Sequence, residues 1–404
     1  MTDTVPLVDF SPTLRLALLA LLVALLPLSW VWLRQRGRDT GARIAALTAV
    51  TMFLTFDLIV FGSFTRLTDS GLGCPDWPGC YGSVSPIGAR DEIQAAQTAM
   101  PTGPVTFSKA WIEMIHRYLA MTVGVLILVM AAASWIGARS GAARLPHSPW
   151  WATATLVWVV IQGLFGKYTV TLKLYPAVVT AHLLGGMFLL ALLVVQHETW
   201  RARRVTLSPR LLAGAVVVTV LLWVQIALGG WVSTNYAVLA CSGFPQCNGQ
   251  WWPRMNFAEG FTVLRELGRA GHGGFVSMES LVAIHMAHRL AAVVLFGALG
   301  GLAWRLWRAG EPALRRYALA LAALALWQFA SGLSNVVLGW PLSAALAHSA
   351  GAAGLVAVTT SLLARGLAGR QAARSVGITS AGLAPGATSA GAPIGAAASH
   401  EARS

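Results

Sequence analysis

Four histidines at repeated positions are the side chains of this chain best suited to chemistry. His116 and His288 each precede an arginine, and His182 and His348 each lie near the start of a later apolar segment. Imidazole is a common axial ligand of heme iron, and ionisable residues inside a bilayer are costly enough to indicate function. A lone membrane histidine is more often a hydrogen-bonded structural residue. Two matched pairs, His116 with His182 and His288 with His348, instead favour iron ligation.

The histidines belong to an internal repeat. The segment from Gly62 to Cys80 aligns without a gap with the segment from Gly229 to Cys247, and both cysteines and one proline coincide. An apolar run precedes each segment, and a histidine-bearing helix follows it. Two copies of one unit, each with two histidines, predict two related cofactor sites.

The two copies differ three residues before the His-Arg pair, where the first has Glu113 and the second has His285. Residues i and i+3 share a helix face, so Glu113 is expected to look toward the same heme as His116. A carboxylate there can accept a proton or stabilise a developing cation. The alternative is a snorkelling residue at the helix mouth. The difference predicts chemistry in the first half and electron transfer in the second.

Three arginines are candidates for holding heme propionates, because the guanidinium donors suit anionic carboxylates. Arg117 and Arg289 directly follow a histidine, and their alternative role is to pair with a helix end or a lipid headgroup. Arg66 lies at the outer mouth of the first half, where capping the membrane interface is an equal alternative.

The four cysteines form two closely spaced pairs, Cys74 with Cys80 and Cys241 with Cys247. Both pairs lie in loops expected outside the membrane, where disulfides persist. The spacing is not that of a short zinc knuckle. Two disulfides are therefore favoured, with a four-cysteine metal site as the alternative.

The composition predicts an all-α polytopic membrane protein. Of the 404 residues, 56% are hydrophobic and only 11% are charged, which is too apolar for a soluble domain. A membrane crossing needs about 20 apolar residues. Such runs occur at nine places: 13–33, 44–64, 112–136, 150–171, 177–196, 210–232, 280–303, 317–338 and 341–364.

Eight of these helices divide into two sets of four. An even number per set makes the repeats parallel, and two four-helix bundles with cofactors between facing helices are expected. The run at 13–33 is predicted to be an extra N-terminal transmembrane helix, with a signal peptide as the alternative. Four regions are therefore expected. They are an N-terminal helix with a basic loop (1–43), the first bundle (44–200), the second bundle (201–368) and a disordered tail (369–404).

The net charge of +14 does not indicate nucleic-acid binding. The arginines are concentrated in alternate loops, which is the positive-inside pattern. The loops 65–110 and 233–279 therefore face outward and carry the cysteines. The histidines at 182 and 348 follow Pro176 and Pro341 closely, which places them roughly 9–11 Å inside the outer helix ends.

The segment from Phe64 to Cys80, followed by Glu113-Met114-Ile115-His116-Arg117, resembles the heme A synthase family over roughly residues 44–364. The resemblance implies two four-helix bundles and oxidation of a heme O ring methyl to the formyl group of heme A, for cytochrome oxidase assembly. It implies that His116 and His182 ligate the substrate heme, that His288 and His348 ligate a bound heme b cofactor, and that Glu113 is the functional glutamate. The helix at 13–33 departs from the family's eight-helix pattern.

The resemblance also implies surroundings and partners. Heme O would enter the first bundle from the membrane lipid, in a multi-pass protein of the bacterial inner membrane. An unidentified electron donor is required, heme O synthase and cytochrome oxidase assembly factors are candidate partners, and the lipid-facing surfaces permit a homo-oligomer. The alternatives are a non-enzymatic di-heme b electron carrier and a transporter built from parallel repeats.

Overall fold

Long helices make up most of the fold in a computed structural model, which describes residues 11–141, 145–271 and 273–381. The described residues form no β-strand. The eleven α-helices are α1 (Ser11–Arg34), α2 (Thr40–Leu67), α3 (Arg90–Ala99), α4 (Phe107–Arg139), α5 (Trp150–Thr171), α6 (Pro176–Arg201), α7 (Pro209–Thr234), α8 (Phe257–Gly260), α9 (Met278–Arg308), α10 (Pro312–Val337) and α11 (Leu342–Ala381).

Every apolar run in the sequence coincides with one of these helices, which confirms the all-α membrane architecture. Eight helices of the described chain are long and apolar enough to cross a membrane, and the predicted N-terminal helix α1 is one of them. Helix α5 is not among the eight, because threonines, Gln162 and Lys167 reduce its hydropathy. It nevertheless packs along both α4 and α6.

The sequence marks where the helices begin. Asp39, Thr106, Ser208 and Ser277 each accept a hydrogen bond from a backbone N–H of the first helical turn, which satisfies a donor that the helix leaves free. Helices α6, α7 and α10 begin with proline, whose missing N–H costs nothing at that position.

The long helices form two rings of four. Helices α2, α4, α5 and α6 pack in that cyclic order, and α7, α9, α10 and α11 do the same. Helices α4 and α6 are therefore diagonal in the first bundle, and α9 and α11 are diagonal in the second. The bundles meet through α2 and α6 on one side and α7 and α11 on the other.

A buried ion pair joins the two bundles near the basic ends of the helices. Glu198 of α6 accepts two hydrogen bonds from the Arg365 guanidinium of α11, at 2.6 and 2.9 Å. The Ser361 hydroxyl donates a third at 2.7 Å. A bidentate, multiply bonded pair of this kind fixes orientation as well as position, so α6 and α11 are held in one alignment.

The first and last described helices extend the two-bundle core. Helix α1 packs mainly on α4, and Leu16 is buried against the cluster that contains Cys74 and Cys80. The tail was predicted to be disordered from residue 369, but helix α11 continues to Ala381. The remainder of that predicted tail, residues 382–404, lies outside the described residues.

Candidate functional site

The second histidine pair has the spacing of two ligands on one metal. His288 of α9 and His348 of α11 face each other across the second bundle, with ring centroids 6.4 Å apart. A metal–imidazole bond is about 2 Å long, so two imidazoles on opposite sides of one metal have centroids about 6 Å apart. This spacing is compatible with bis-histidine ligation of a heme iron, which stays a prediction.

The first pair occupies the equivalent helices. His116 lies on α4 and His182 on α6, the diagonal helices of the first bundle. The ring of His116 stacks on Phe61 of α2, with centroids 6.4 Å apart and planes 9° apart. Both bundles thus carry their histidines on the second and fourth helices, in the arrangement expected for a planar ligand between them.

A glycine lies against each of the four rings. A methyl group added at Gly62 would lie 2.9 Å from Nε2 of His116, and one at Gly229 or Gly332 would lie 3.1 Å from Cε1 of His288 or His348. The contact between Gly166 and His182 is looser, at 3.7 Å. Space for the rings of His116, His288 and His348 therefore depends on a missing side chain on the neighbouring helix. The repeat alignment matches Gly62 with Gly229, but no role beside a histidine ring was predicted for any of these glycines.

Glu113 of α4 is held by two contacts. Its buried carboxylate accepts a hydrogen bond from the Cys74 backbone N–H at 2.9 Å and pairs with Arg117 on the next turn of α4. These two contacts, which tie the carboxylate to the cysteine loop, were not foreseen from the sequence, and the expected role of Glu113 at the heme of His116 stays a prediction. Glu113 remains one helical turn from His116.

Arg117 and Arg289 hold the two cysteine loops at matching positions. Arg117 donates to the backbone oxygens of Asp76, Pro78 and Gly79. Arg289 donates to those of Gly243 and Gln246, which align with Asp76 and Gly79 in the repeat. These contacts show how each histidine-bearing helix is fixed to its outer loop, and propionate binding by the two arginines stays a prediction.

His285 makes the contact that distinguishes the second loop from the first. Its Nδ1–H donates to the backbone oxygen of Ala237 at 2.9 Å, whereas Glu113 accepts from a backbone N–H at the same helix position. The loops therefore present opposite polarity to this position. Glutamate fits the first loop because it accepts, and histidine fits the second because it donates.

Arg66 joins the outer ends of the two bundles. Its guanidinium donates to the Tyr236 hydroxyl at 2.9 Å and to the Ser233 backbone oxygen at 2.7 Å, and it lies 4.1 Å above the Tyr236 ring. Asp69 accepts from Tyr236 at 2.6 Å. Burial is the main cause that raises the pKa of the Tyr236 hydroxyl, so the phenol is neutral in this network. Propionate binding by Arg66 stays a prediction.

Both cysteine pairs form disulfides. The Cα atoms are 4.9 Å apart in Cys74–Cys80 and 4.7 Å apart in Cys241–Cys247. Each bridge closes onto a short antiparallel pairing, between Cys80 and Ser83 in the first loop and between Cys247 and Gln250 in the second. The four-cysteine metal site is thus replaced by two separate disulfides that shape the loops.

The family model described as cytochrome oxidase assembly protein, COX15-CtaA, matches residues 45–360. The chain is similar to a heme A synthase of Shewanella oneidensis, with 38% identity over 312 residues that cover 76% of this chain and 92% of that protein. A heme A synthase of Sphingopyxis alaskensis is 30% identical over 355 residues, covering 80% and 92%. One of Maricaulis maris is 28% identical over 324 residues, covering 75% and 90%.

Proposed function

We propose that this chain, which belongs to the COX15-CtaA family of cytochrome oxidase assembly proteins, is a heme A synthase. It is a multi-pass membrane enzyme that oxidises a ring methyl of heme O to the formyl group of heme A. The observation that carries the proposal is the duplication of one diagonal histidine pair, combined with a buried carboxylate beside only the first pair.

Each bundle binds a different heme in the proposed reaction. His116 and His182 hold the substrate heme in the first bundle, and His288 and His348 hold a heme b cofactor in the second. Arg66, Arg117 and Arg289 are the candidate groups for propionates at the outer mouths. The hemes supply the redox chemistry when bound, and α6 and α11, which carry His182 and His348, pack against each other and provide a short route between the sites.

Glu113 is the proposed catalytic group of the first site. Arg117 and the Cys74 N–H keep its carboxylate in one place, so little reorganisation is needed when positive charge or a proton develops nearby. Burial strengthens the interaction of such a carboxylate with a developing charge, because the local dielectric is low. His285 cannot supply a negative charge at the equivalent place.

The setting of the reaction follows from the helices and their basic loops. The proposed location is the bacterial inner membrane, with the disulfide loops on the outer side and the arginine-rich loops inside, and the alternation of basic loops supports this orientation. Heme O enters the first bundle from the membrane lipid, and heme A returns to the lipid. An electron donor completes the reaction, with heme O synthase and oxidase assembly factors as candidate partners and a homo-oligomer as a candidate assembly.

Pigment extraction tests this function directly. The chain is expressed with a heme O synthase in cells that lack their own heme A synthase, and extracted hemes are identified by mass spectrometry. Heme A or a hydroxylated heme O is expected, together with heme b. A protein that retains only heme b and leaves heme O unchanged would overturn the proposal in favour of a di-heme electron carrier.

A further inference from the structure

Ser331 determines which nitrogen of His348 carries the proton. Its hydroxyl oxygen lies 3.1 Å from Nδ1 of His348 and 2.7 Å from the backbone oxygen of Trp327. The Trp327 oxygen can only accept, so the Ser331 hydroxyl donates to it and uses a lone pair to accept from Nδ1–H. Nε2 of His348 is then the nitrogen with a free lone pair, which is what an iron ligand requires.

Gln225 braces the other histidine of the second pair. Its amide N–H donates to the backbone oxygen of His288 at 3.1 Å, and the same nitrogen lies 3.0 Å from Nδ1 and 3.3 Å from Nε2 of the ring. Gln225 therefore positions His288 but, unlike Ser331, does not fix which ring nitrogen has the free lone pair. Gln225 is four residues before Gly229 on α7, so one face of α7 supplies both the space for the ring and a polar contact to it. The backbone of His348 is held similarly, since the Gln328 amide donates to its oxygen at 2.8 Å.

The first pair lacks the partners that Ser331 and Gln225 supply, although Gln162 is retained at the position that aligns with Gln328. The positions that align with Ser331 and Gln225 are Phe165, directly before Gly166, and Leu58, four residues before Gly62. Neither side chain can form a hydrogen bond. Nδ1 of His182 is buried and has no hydrogen-bond partner among the described residues.

We propose that Ser331, with Gln225, makes the second histidine pair a permanent heme site, and that the absence of these partners makes the first pair a site for a heme that binds and leaves. A hydrogen bond to the second nitrogen of a ligating histidine fixes the ring and makes it a stronger donor to the metal. A ring that is already oriented loses less freedom on binding than a free one. This inference rests on the proposed division into substrate and cofactor sites.

The first experiment compares Ser331→Ala with Ser334→Ala in the full-length protein purified in detergent. Ser334 lies on the same helix, and its hydroxyl bonds only the backbone oxygen of Ala330. In Ser331→Ala, transfer of heme b to excess apomyoglobin should be about 10–100-fold faster. The midpoint potential of heme b should rise, because a less basic imidazole stabilises ferric iron less. Ser334→Ala should match the unmodified protein in both measurements.

A conservative variant distinguishes a role of the Ser331 hydroxyl in positioning His348 from a role of the side chain in helix packing. Ser331→Thr keeps a hydroxyl and should restore slow heme transfer and the original potential. Gln225→Leu, which installs the first-half residue, should also speed heme transfer, with Thr219→Val of α7 as its control. Unchanged transfer and potential in Ser331→Ala would overturn the proposal. Equal losses in the alanine and threonine variants would overturn it too, because they would show a packing effect.

The reverse change is made in the first bundle. Phe165→Ser introduces a hydroxyl at the position that aligns with Ser331, so heme A should remain bound to the purified enzyme longer than in the unmodified protein. Faster release would contradict the proposal. The measurements on heme b are made without turnover, so a protein that binds heme b tightly but makes no heme A would contradict the proposed function, while the Ser331 and Gln225 variants would still test the roles of these residues at the second pair.

Discussion

The two bundles share a scaffold and differ at a few positions around their histidines. Each has a glycine behind each ring, an arginine that binds the backbone of a disulfide loop, and histidines on diagonal helices. The side chains next to these common features differ, and the main differences are Glu113 for His285, Leu58 for Gln225 and Phe165 for Ser331. The duplicated bundles thus share one frame, and these three positions are where the proposed substrate and cofactor sites differ.

The direction of the differences is consistent. The first bundle combines a buried, charged group with rings that have apolar neighbours, whereas the second combines a neutral imidazole with rings held by an amide and a hydroxyl. A substrate site benefits from charge near the reacting atoms and from exchange of the bound molecule. A cofactor site benefits from fixed ligands, which is the character of the second bundle.

The largest expected effect is the loss of heme b when a ligand of the second pair is removed. His288→Leu or His348→Leu leaves one axial ligand, so most heme b should be absent from the purified protein. His116→Leu and His182→Leu should keep heme b and lose heme A formation. The low-spin heme b spectrum and the heme content per protein check this. Retention of that spectrum in both second-pair variants would contradict the assignment.

The next effect concerns Glu113→Gln, which removes the charge and keeps the size. Loss of one preorganised electrostatic group typically slows a reaction by about 10²–10³-fold. Heme A should therefore fall sharply while heme O or a hydroxylated intermediate accumulates and heme b stays bound. His285→Gln is the matched change in the second half and should leave heme A formation nearly normal. Normal heme A in Glu113→Gln would assign the glutamate a structural role only.

The two disulfides should differ in what their removal does. The two cysteines of each disulfide are six residues apart in the sequence. Closing a loop of this length stabilises the fold by about 2 kcal/mol according to the chain-entropy model. Replacing either pair by alanines should lower the thermal midpoint in detergent by a similar amount. Only loss of Cys74–Cys80 should also reduce heme A, because the Cys74 N–H holds Glu113.

Thiol labelling gives the control for these variants. Denatured but unreduced protein should show almost no free thiol, since all four cysteines are bridged. Equal retention of heme A in both double variants would show that the position of Glu113 does not depend on the first disulfide.

Sequence periodicity predicted the helices, the repeat and the histidine pairs, because apolar runs and matched spacing are local properties of the chain. It did not predict the direction of Glu113 or the partners of Arg117, since both depend on loop backbone atoms whose positions are set by the folded disulfide loop. Ser331 was missed for another reason: serine inside a membrane helix usually bonds its own backbone, as Ser334 does. Only the neighbouring helix reveals the histidine beside it.

The smallest predicted effect tests the outer contact between the bundles. Tyr236→Phe removes the hydroxyl that bonds Arg66 and Asp69 and keeps the ring beneath the guanidinium. The loss should be about 1 kcal/mol, seen as a slightly lower thermal midpoint with normal heme b content. The pKa of this phenol is raised above its ordinary value of about 10. Its neutral form therefore contributes stability at all lower pH, and the difference between variant and parent should shrink only as the pH rises through the raised value. A difference that already disappears between pH 7 and pH 9 would show that the phenol does not join the two bundles.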